Sequence, residues 1–273
     1  MSSTTPGHSM ASYVFSMKCS RASSIAPISV LPPFGTFQPC YRSVPARGNK
    51  RGCYHTLVSG PPFEPEHFRR VDEREDASFY AFPRLVTHID DHAIEAVRRL
   101  YAELLPPGGV ILDLMSSWVS HLPADVAYTR VVGLGMNETE LRENKQLDEW
   151  VVHDLNAGAR LPFEDASFDA VVLAVSVQYL TSPVEVFRDV RRVVKLDAPF
   201  VVTFSNRMFP EKAVALWQTC SDEERARLIG AYFHYAGGWG EIVAQDRSPR
   251  VEAYSDPLFA VWARASASDS APG

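Results

Sequence analysis

The stretch GGVILDLMSSWVSHLP, residues 108–123, decides how this chain is read. VILDL is an apolar run of strand length. It enters the tight turn Met115-Ser116-Ser117-Trp118-Val119 and then a segment that reads as a short helix starting at Trp118. In a doubly wound α/β sheet the turn after the first strand approaches a ligand closely, and glycine is usual there. This turn has no glycine. Ser116 and Ser117 are small and are good helix caps. Met115 and Val119 are not expected to supply the backbone freedom of glycine. The turn is either a ligand-binding turn of unusual build or one that has lost its ligand.

Strands and helices alternate on either side of it. THIDDHAIEAVRRLYAELL (87–105) carries Ile94, Val97, Tyr101 and Leu104 at helical spacing, and Pro106-Pro107-Gly108-Gly109 ends it. VVGLG (131–135), WVVHDL (150–155), FDAVVLAVS (168–176) and PFVVTFS (199–205) follow as strands. FDAVVLAVS is continuously apolar, which predicts burial on both faces. Asn137 with Glu140, Ser182 with Pro183 and Glu185, and Ser221 with Glu224 read as helix starts. Gly237-Gly238 stops the last helix. EIVAQDR (241–247) and LFAVWAR (258–264) are joined without a helix and are expected to be antiparallel neighbours. The pattern predicts a doubly wound, Rossmann-like sheet of seven strands, parallel except for one strand near an edge, with helices on both faces.

The first 63 residues differ in kind. They hold six Lys/Arg, many serines and no acid; the first acid is Glu64. Such a composition is expected of an organellar transit peptide, chloroplast by its serine and proline content, with the mitochondrion as the other address. The expected organisation is then a leader over 1–63, a linker and lid segment over 64–86, the main domain over 87–265 and a loose tail over 266–273. Beyond the leader, the remaining 21 of the 27 basic residues face all 33 acids, a balance of −12. That charge disfavours a nucleic-acid substrate. No apolar run approaches the roughly 20 residues that span a bilayer. Past residue 53 the only cysteine is Cys220, too little for a disulfide or a cysteine zinc site, and no metal site is expected.

LPFEDASFDAVVLAVSVQYL (161–180) and DVRRVVKLDAPFVVTFSN (189–206) resemble the class I S-adenosylmethionine-dependent methyltransferases, of the type called methyltransferase type 11. The resemblance covers roughly residues 85–265. It implies S-adenosylmethionine as cofactor and a methyl acceptor, taken to be a small molecule. The family's acid at the end of the first strand corresponds to Asp113. Its three turn glycines correspond to Met115, Ser117 and Val119, with Ser116 between. Its ribose-binding acid at the end of the second strand corresponds to Gly135, so Asn137 or Glu138 would act from a shifted position. HDLNAGARLPF (153–163) resembles the adenine region, with Asp154 and the amide of Leu155 as ligands. An Asx-turn is the other reading of Asp154.

Methyl transfer needs alignment, exclusion of water and, for a hydroxyl or amine acceptor, a base. The residues placed to serve are His88 and Asp91 before and in the first helix, Gln178 and Tyr179 after the fourth strand, and Arg207 after the fifth. Arg207 is either an anion clamp or a solvated surface charge. Two other functions stay open: an inactive binding or assembly module on the same fold, and a protein methyltransferase. No sequence feature fixes the oligomeric state.

Overall fold

The computed structural model describes residues 61–267. The expected leader, except its last three residues, and the tail, except its first two, lie outside the described residues. Seven strands form: β1 Val110–Leu114, β2 Arg130–Gly135, β3 Glu149–Val152, β4 Ala170–Ala174, β5 Pro199–Phe204, β6 Val243–Asp246 and β7 Phe259–Arg264. They make one sheet in the order β3-β2-β1-β4-β5-β7-β6. β1 to β5 are parallel, and β7 runs antiparallel to both β5 and β6. The expected antiparallel strand is therefore β7, inserted one place in from the edge.

Alternate residues of the central strands feed two cores. Ile111, Val131, Ala170, Val172 and Val201 pack under helix α2 (Asp91–Leu104), through Ala93, Ile94, Val97, Leu100 and Tyr101. Leu112, Leu114, Val171, Leu173, Phe200 and Val202 pack under α4 (Pro183–Val193), α5 (Ala215–Thr219) and α6 (Asp222–Ala236). Burial on both faces is why β4 reads as an unbroken apolar run. Phe187 on α4 lies 4.8 Å from both Phe200 and Phe233 by ring centroids, tying α4 to the sheet and to α6.

The helix starts follow their signals with one exception. Asp90 accepts from the Ala93 amide and Ser221 and Glu224 form a capping box. Gly237, at φ 74°, caps the end of α6. Ser182 makes no side-chain cap for α4. Its ψ of 59° turns the hydroxyl away from the amides that Asp90 and Ser221, near 169° and 167°, can reach. Among the described residues no helix is long and apolar enough to cross a membrane.

One expectation is overturned. No helix follows the turn after β1: residues 115–129 hold none. The Ser116 amide instead donates to the Leu134 carbonyl at 2.7 Å, which draws the chain across the end of β2. The stretch after residue 64, expected to be a linker and then a segment that packs on the domain, is attached to it. A short helix α1 (Asp76–Phe79) is anchored by Asp76, which accepts from Arg70 at 2.7 and 2.8 Å and from Asn156 at 2.7 Å. Lys212, wholly buried, lies 3.0 Å from the same carboxylate. Burial pushes the Asp76 carboxyl up, but Arg70, Asn156 and Lys212 outweigh it and hold it below its usual value. Phe63 and Phe68 continue the attachment against Tyr232 of α6.

Removing Asp76 strands two cations in a low-dielectric site. Asp76→Ala is expected to cost about 3–5 kcal/mol in denaturant unfolding. A loss below about 1 kcal/mol would show that water reaches Lys212 and Arg70 and that the anchor carries little.

Candidate active site

The strand order reverses between β1 and β4, so the carboxyl ends of these two strands flank the crevice where α/β sheets bind ligands. Backbone strain gathers there. Met115, directly after β1, has φ 56°, and Val175, directly after β4, has φ 51°. His121, at the far end of the turn after β1, has φ 55°. A left-handed β-branched residue costs about 1–3 kcal/mol and persists only where its surroundings hold it. The Val175 amide is held by the Thr203 carbonyl of β5 at 2.8 Å. Met115 thus adopts the conformation for which glycine is usual, contrary to the expectation drawn from its side chain.

Unpartnered polar atoms gather at the same edge. Ser176 Oγ, Gln178 Oε1 and His121 Nδ1 are buried and make no hydrogen bond. Buried polar groups are nearly always paired, so such a group at a strand edge points to a ligand or water. Beneath them the Tyr101 and Thr203 hydroxyls are neighbours whose geometry makes no hydrogen bond. Gln178 is oriented by its Nε2, which donates to the Val175 carbonyl at 2.9 Å. Burial pulls the His121 imidazole down to about 4, which leaves it neutral at physiological pH.

Asp113 stands under the turn, 3% exposed. Ser116 Oγ donates to it at 2.5 Å. Burial raises its pKa to about 7, and the serine bond only partly offsets this.

The cover comes from the segment after α1. Phe209, from the loop after β5, packs edge-on against Phe79 and His88 and stacks on Tyr179. The Arg84 guanidinium lies 4.5 Å from the Phe79 ring centre and 5.4 Å from that of Phe209. The Tyr179 hydroxyl accepts from the Phe209 amide at 2.8 Å, and burial raises its pKa to about 12. His88 itself is exposed at the rim.

At the end of β2 the chain fills its own space. A Cβ on Gly135 would stand 2.2 Å from the Ser116 carbonyl oxygen, so no acid can occupy the family's ribose position. Helix α3 (Glu138–Glu143) begins just beyond. Asn137 caps it through the Glu140 amide and donates to the Tyr80 carbonyl at 2.8 Å. Glu138 is exposed, whereas Glu140 is buried. Glu140 accepts from Ser117 Oγ at 2.7 Å and from the Arg84 amide at 2.6 Å. Ser117 therefore caps no helix.

Other expected residues are used elsewhere. Asp154 accepts from the Asn156 and Ala157 amides, the Asx-turn arrangement, and Leu155 is buried in the core. Asp91 is exposed on the first turn of α2. Arg207 pairs through Nε with the buried Asp256 at 2.8 Å. Sequence reasoning missed Arg84, Ser176, Phe209 and Lys212. It read Glu140 only as a capping partner.

Residues 116–202 match the family model described as a methyltransferase domain, the enzyme class that the resemblance implies, with S-adenosylmethionine as its cofactor. No curated protein sequence matches. Among solved structures, the [4+2]-cyclase SpnF shares the fold with a TM-score of 0.50 at 16% identity, over 70% of this chain and 92% of that one. A SAM-dependent methyltransferase from Aquifex aeolicus aligns at a TM-score of 0.46 and 15% identity, over 64% of this chain and 91% of that one.

The buried carboxyl of Asp113 makes stability depend on pH. Unfolded, an aspartate ionises near 4; folded, Asp113 does so at about 7. Between these values the native chain holds a proton that the unfolded chain has released, so stability falls as pH rises towards 7. Asp113→Asn removes this term. The variant is expected to gain up to about 4 kcal/mol on the wild type at pH 8 relative to pH 4. Parallel denaturation curves at both pH values check this, and an equal difference at both would refute it.

Proposed function

We propose that this chain transfers a methyl group from S-adenosylmethionine to a small-molecule acceptor at the β1–β4 crevice. The observation that carries the reading is the coincidence, at one sheet edge, of left-handed Met115 and Val175 with the unpartnered Ser176, Gln178 and His121. Strain and unsatisfied polar groups are both costly, and a ligand is what repays them together. The methyltransferase-domain match over the same segment supplies the reaction class.

The residues fit the cofactor at the β1–β4 side. Ser176, Gln178 and the Asp113–Ser116 pair offer polar atoms to its amino-acid portion. When bound, the cofactor supplies a methyl already activated on a sulfonium. The chain's own task is to orient and to keep water out. Tyr179, Phe209 and Phe79 give the crevice an aromatic wall. His121, kept neutral by its burial, offers the unpartnered Nδ1 as a hydrogen-bond acceptor for the methyl acceptor's O–H or N–H.

A second reading is a binding module without catalysis. It is favoured by Asp154 and Ser117, whose polar groups are bonded within the chain. SpnF, a cyclase on the same fold, is a reminder that the fold does not fix the reaction. Calorimetric titration of the full chain with S-adenosylmethionine and S-adenosylhomocysteine separates the readings. Saturable binding is expected. No heat at millimolar ligand would leave the second reading standing. The mass of methylated products in small-molecule and protein fractions then separates a small-molecule acceptor from a protein one.

We further propose that residues 1–63 address the protein to the chloroplast, on the strength of their basic, serine-rich and acid-free composition. A fusion of these residues to a fluorescent reporter is expected inside chloroplasts of a plant cell. Mitochondrial fluorescence would correct the address, and cytosolic fluorescence would overturn the proposal.

A further inference from the structure

β3 (Glu149–Val152) is the outermost strand of the sheet and is bonded on one side only, to β2. In register, Trp150 stands beside Gly133 and Val152 beside Gly135. Register neighbours share a face of the sheet, so these glycines leave both side chains without a cross-strand partner. Trp150 is 38% exposed and Val152 52%. The backbone on the free side is open as well. The Asp148 amide donates to the Val131 carbonyl of β2. Backbone groups alternate in direction along a strand, so those of Glu149 and Val151 face away from β2. A free edge that carries apolar side chains is a template for another strand. Among the described residues the opposite edge, β6, carries no large exposed apolar side chain.

The sequence of the β3 edge is complementary to itself. Consider a second copy paired antiparallel about a two-fold axis through Val151. Trp150 then stands opposite the second copy's Val152, and Glu149 opposite its His153. Aromatic with β-branched and anion with cation are favourable cross-strand pairs, and the symmetry makes each of them twice. Sliding the register two residues either way sets Glu149 opposite Val151 or Leu155 and loses both charge pairs. The groups needed are accessible. Glu149 is exposed and meets only the exposed Arg130, through one oxygen at 3.5 Å. His153 Nε2 lies 2.9 Å from the Gly158 carbonyl, which leaves Nδ1 for the carboxylate, and an imidazolium donates from both nitrogens. The same register sets Asp148 opposite Asp154, but each is turned into its own chain. Asp148 accepts from the Val131 amide and Asp154 from the Asn156 amide.

We propose that the free edge of β3 binds the same edge of a second copy of this chain, joining the two sheets into one. The two Val151 residues exchange backbone hydrogen bonds at the axis. The carboxyl ends of β1 and β4 then point in opposite directions in the two copies, so both crevices stay open. The proposal holds whatever the crevice binds. The strand is short, so association is expected on the order of tens of micromolar and not nanomolar.

Sedimentation of the full chain is expected to show monomer passing to dimer as concentration rises through that range. Val152→Lys places a lysine on the edge, the usual block to strand pairing. The position is exposed, so the melting temperature is expected to hold while dimerisation weakens about tenfold or more. Glu149→Lys sets like charges against His153 in both pairs, and His153→Glu does the same against Glu149. Each variant alone is expected to stay monomeric. An equimolar mixture of the two is expected to dimerise, because the mixed pair again sets opposite charges at both positions. Three results would each overturn the proposal. One is a wild type that remains monomeric at about ten times the expected concentration. Another is a dimer that survives Val152→Lys or either charge reversal. The third is a mixture that stays monomeric although both variants melt like the wild type.

Discussion

The carbonyl of Ser116 lies against Gly135, 2.2 Å from where any Cβ there would stand, and much of the site depends on that contact. The turn after β1 can cross the end of β2 only because both chains meet as bare backbone there. Once across, its polar groups are taken up by α3 and by Asn144 at the end of that helix. Ser117 bonds Glu140, and Asn144 donates to the Ser117 carbonyl and to Ser120 Oγ. A segment whose hydroxyls and carbonyls are committed this way has no reason to wind into a helix. The left-handed Met115 is the hinge that starts the crossing.

The same contact redistributes charge. A carboxylate excluded from the strand end reappears one helical turn into α3, where Asn137 has already satisfied the Glu140 amide. In an ordinary capping box the Glu side chain reaches back to the cap residue's own amide. Here it is diverted to Ser117 and to the Arg84 amide, in the strap over residues 79–88. Glu140 thereby joins three elements distant in sequence: the strap, the turn after β1 and α3. Asp76 plays the matching part at the strap's other end, where Arg70, Lys212 and Asn156 converge on one carboxylate. The two anchors differ in kind. The Asp76 cluster is buried among cations whose desolvation makes it costly to break. The Glu140 contacts are hydrogen bonds from one hydroxyl and one amide, with no cation on the carboxylate.

Beneath the strap, the crevice combines features that a stable fold by itself would avoid. Val175 is β-branched and left-handed, and Ser176 and Gln178 leave polar atoms unpaired within three residues of it. Asp113 is an acid whose pKa burial raises to about 7. These costs coincide at the reversal of strand order, where the geometry of a parallel sheet opens a gap between diverging loops.

The sequence by itself determined the sheet. Strand periods, the unbroken apolar run of β4, the caps at Asn137 and Ser221, the glycine stop at Gly237 and the helix-free link from β6 to β7 are local signals, set by burial pattern and backbone propensity. They are legible because each depends on neighbours a few residues away. The missing helix after β1, the left-handed Met115, the diverted Glu140 and the buried Lys212 were decided by tertiary structure. Each depends on a partner far along the chain: Ser116 on Leu134 and Gly135, Glu140 on Arg84, Lys212 on Asp76. Local propensity favoured a serine-capped helix at Trp118, but it is worth only about 1 kcal/mol. Backbone packing between two strands outweighed it, and no pattern within the turn itself records which strand that would be.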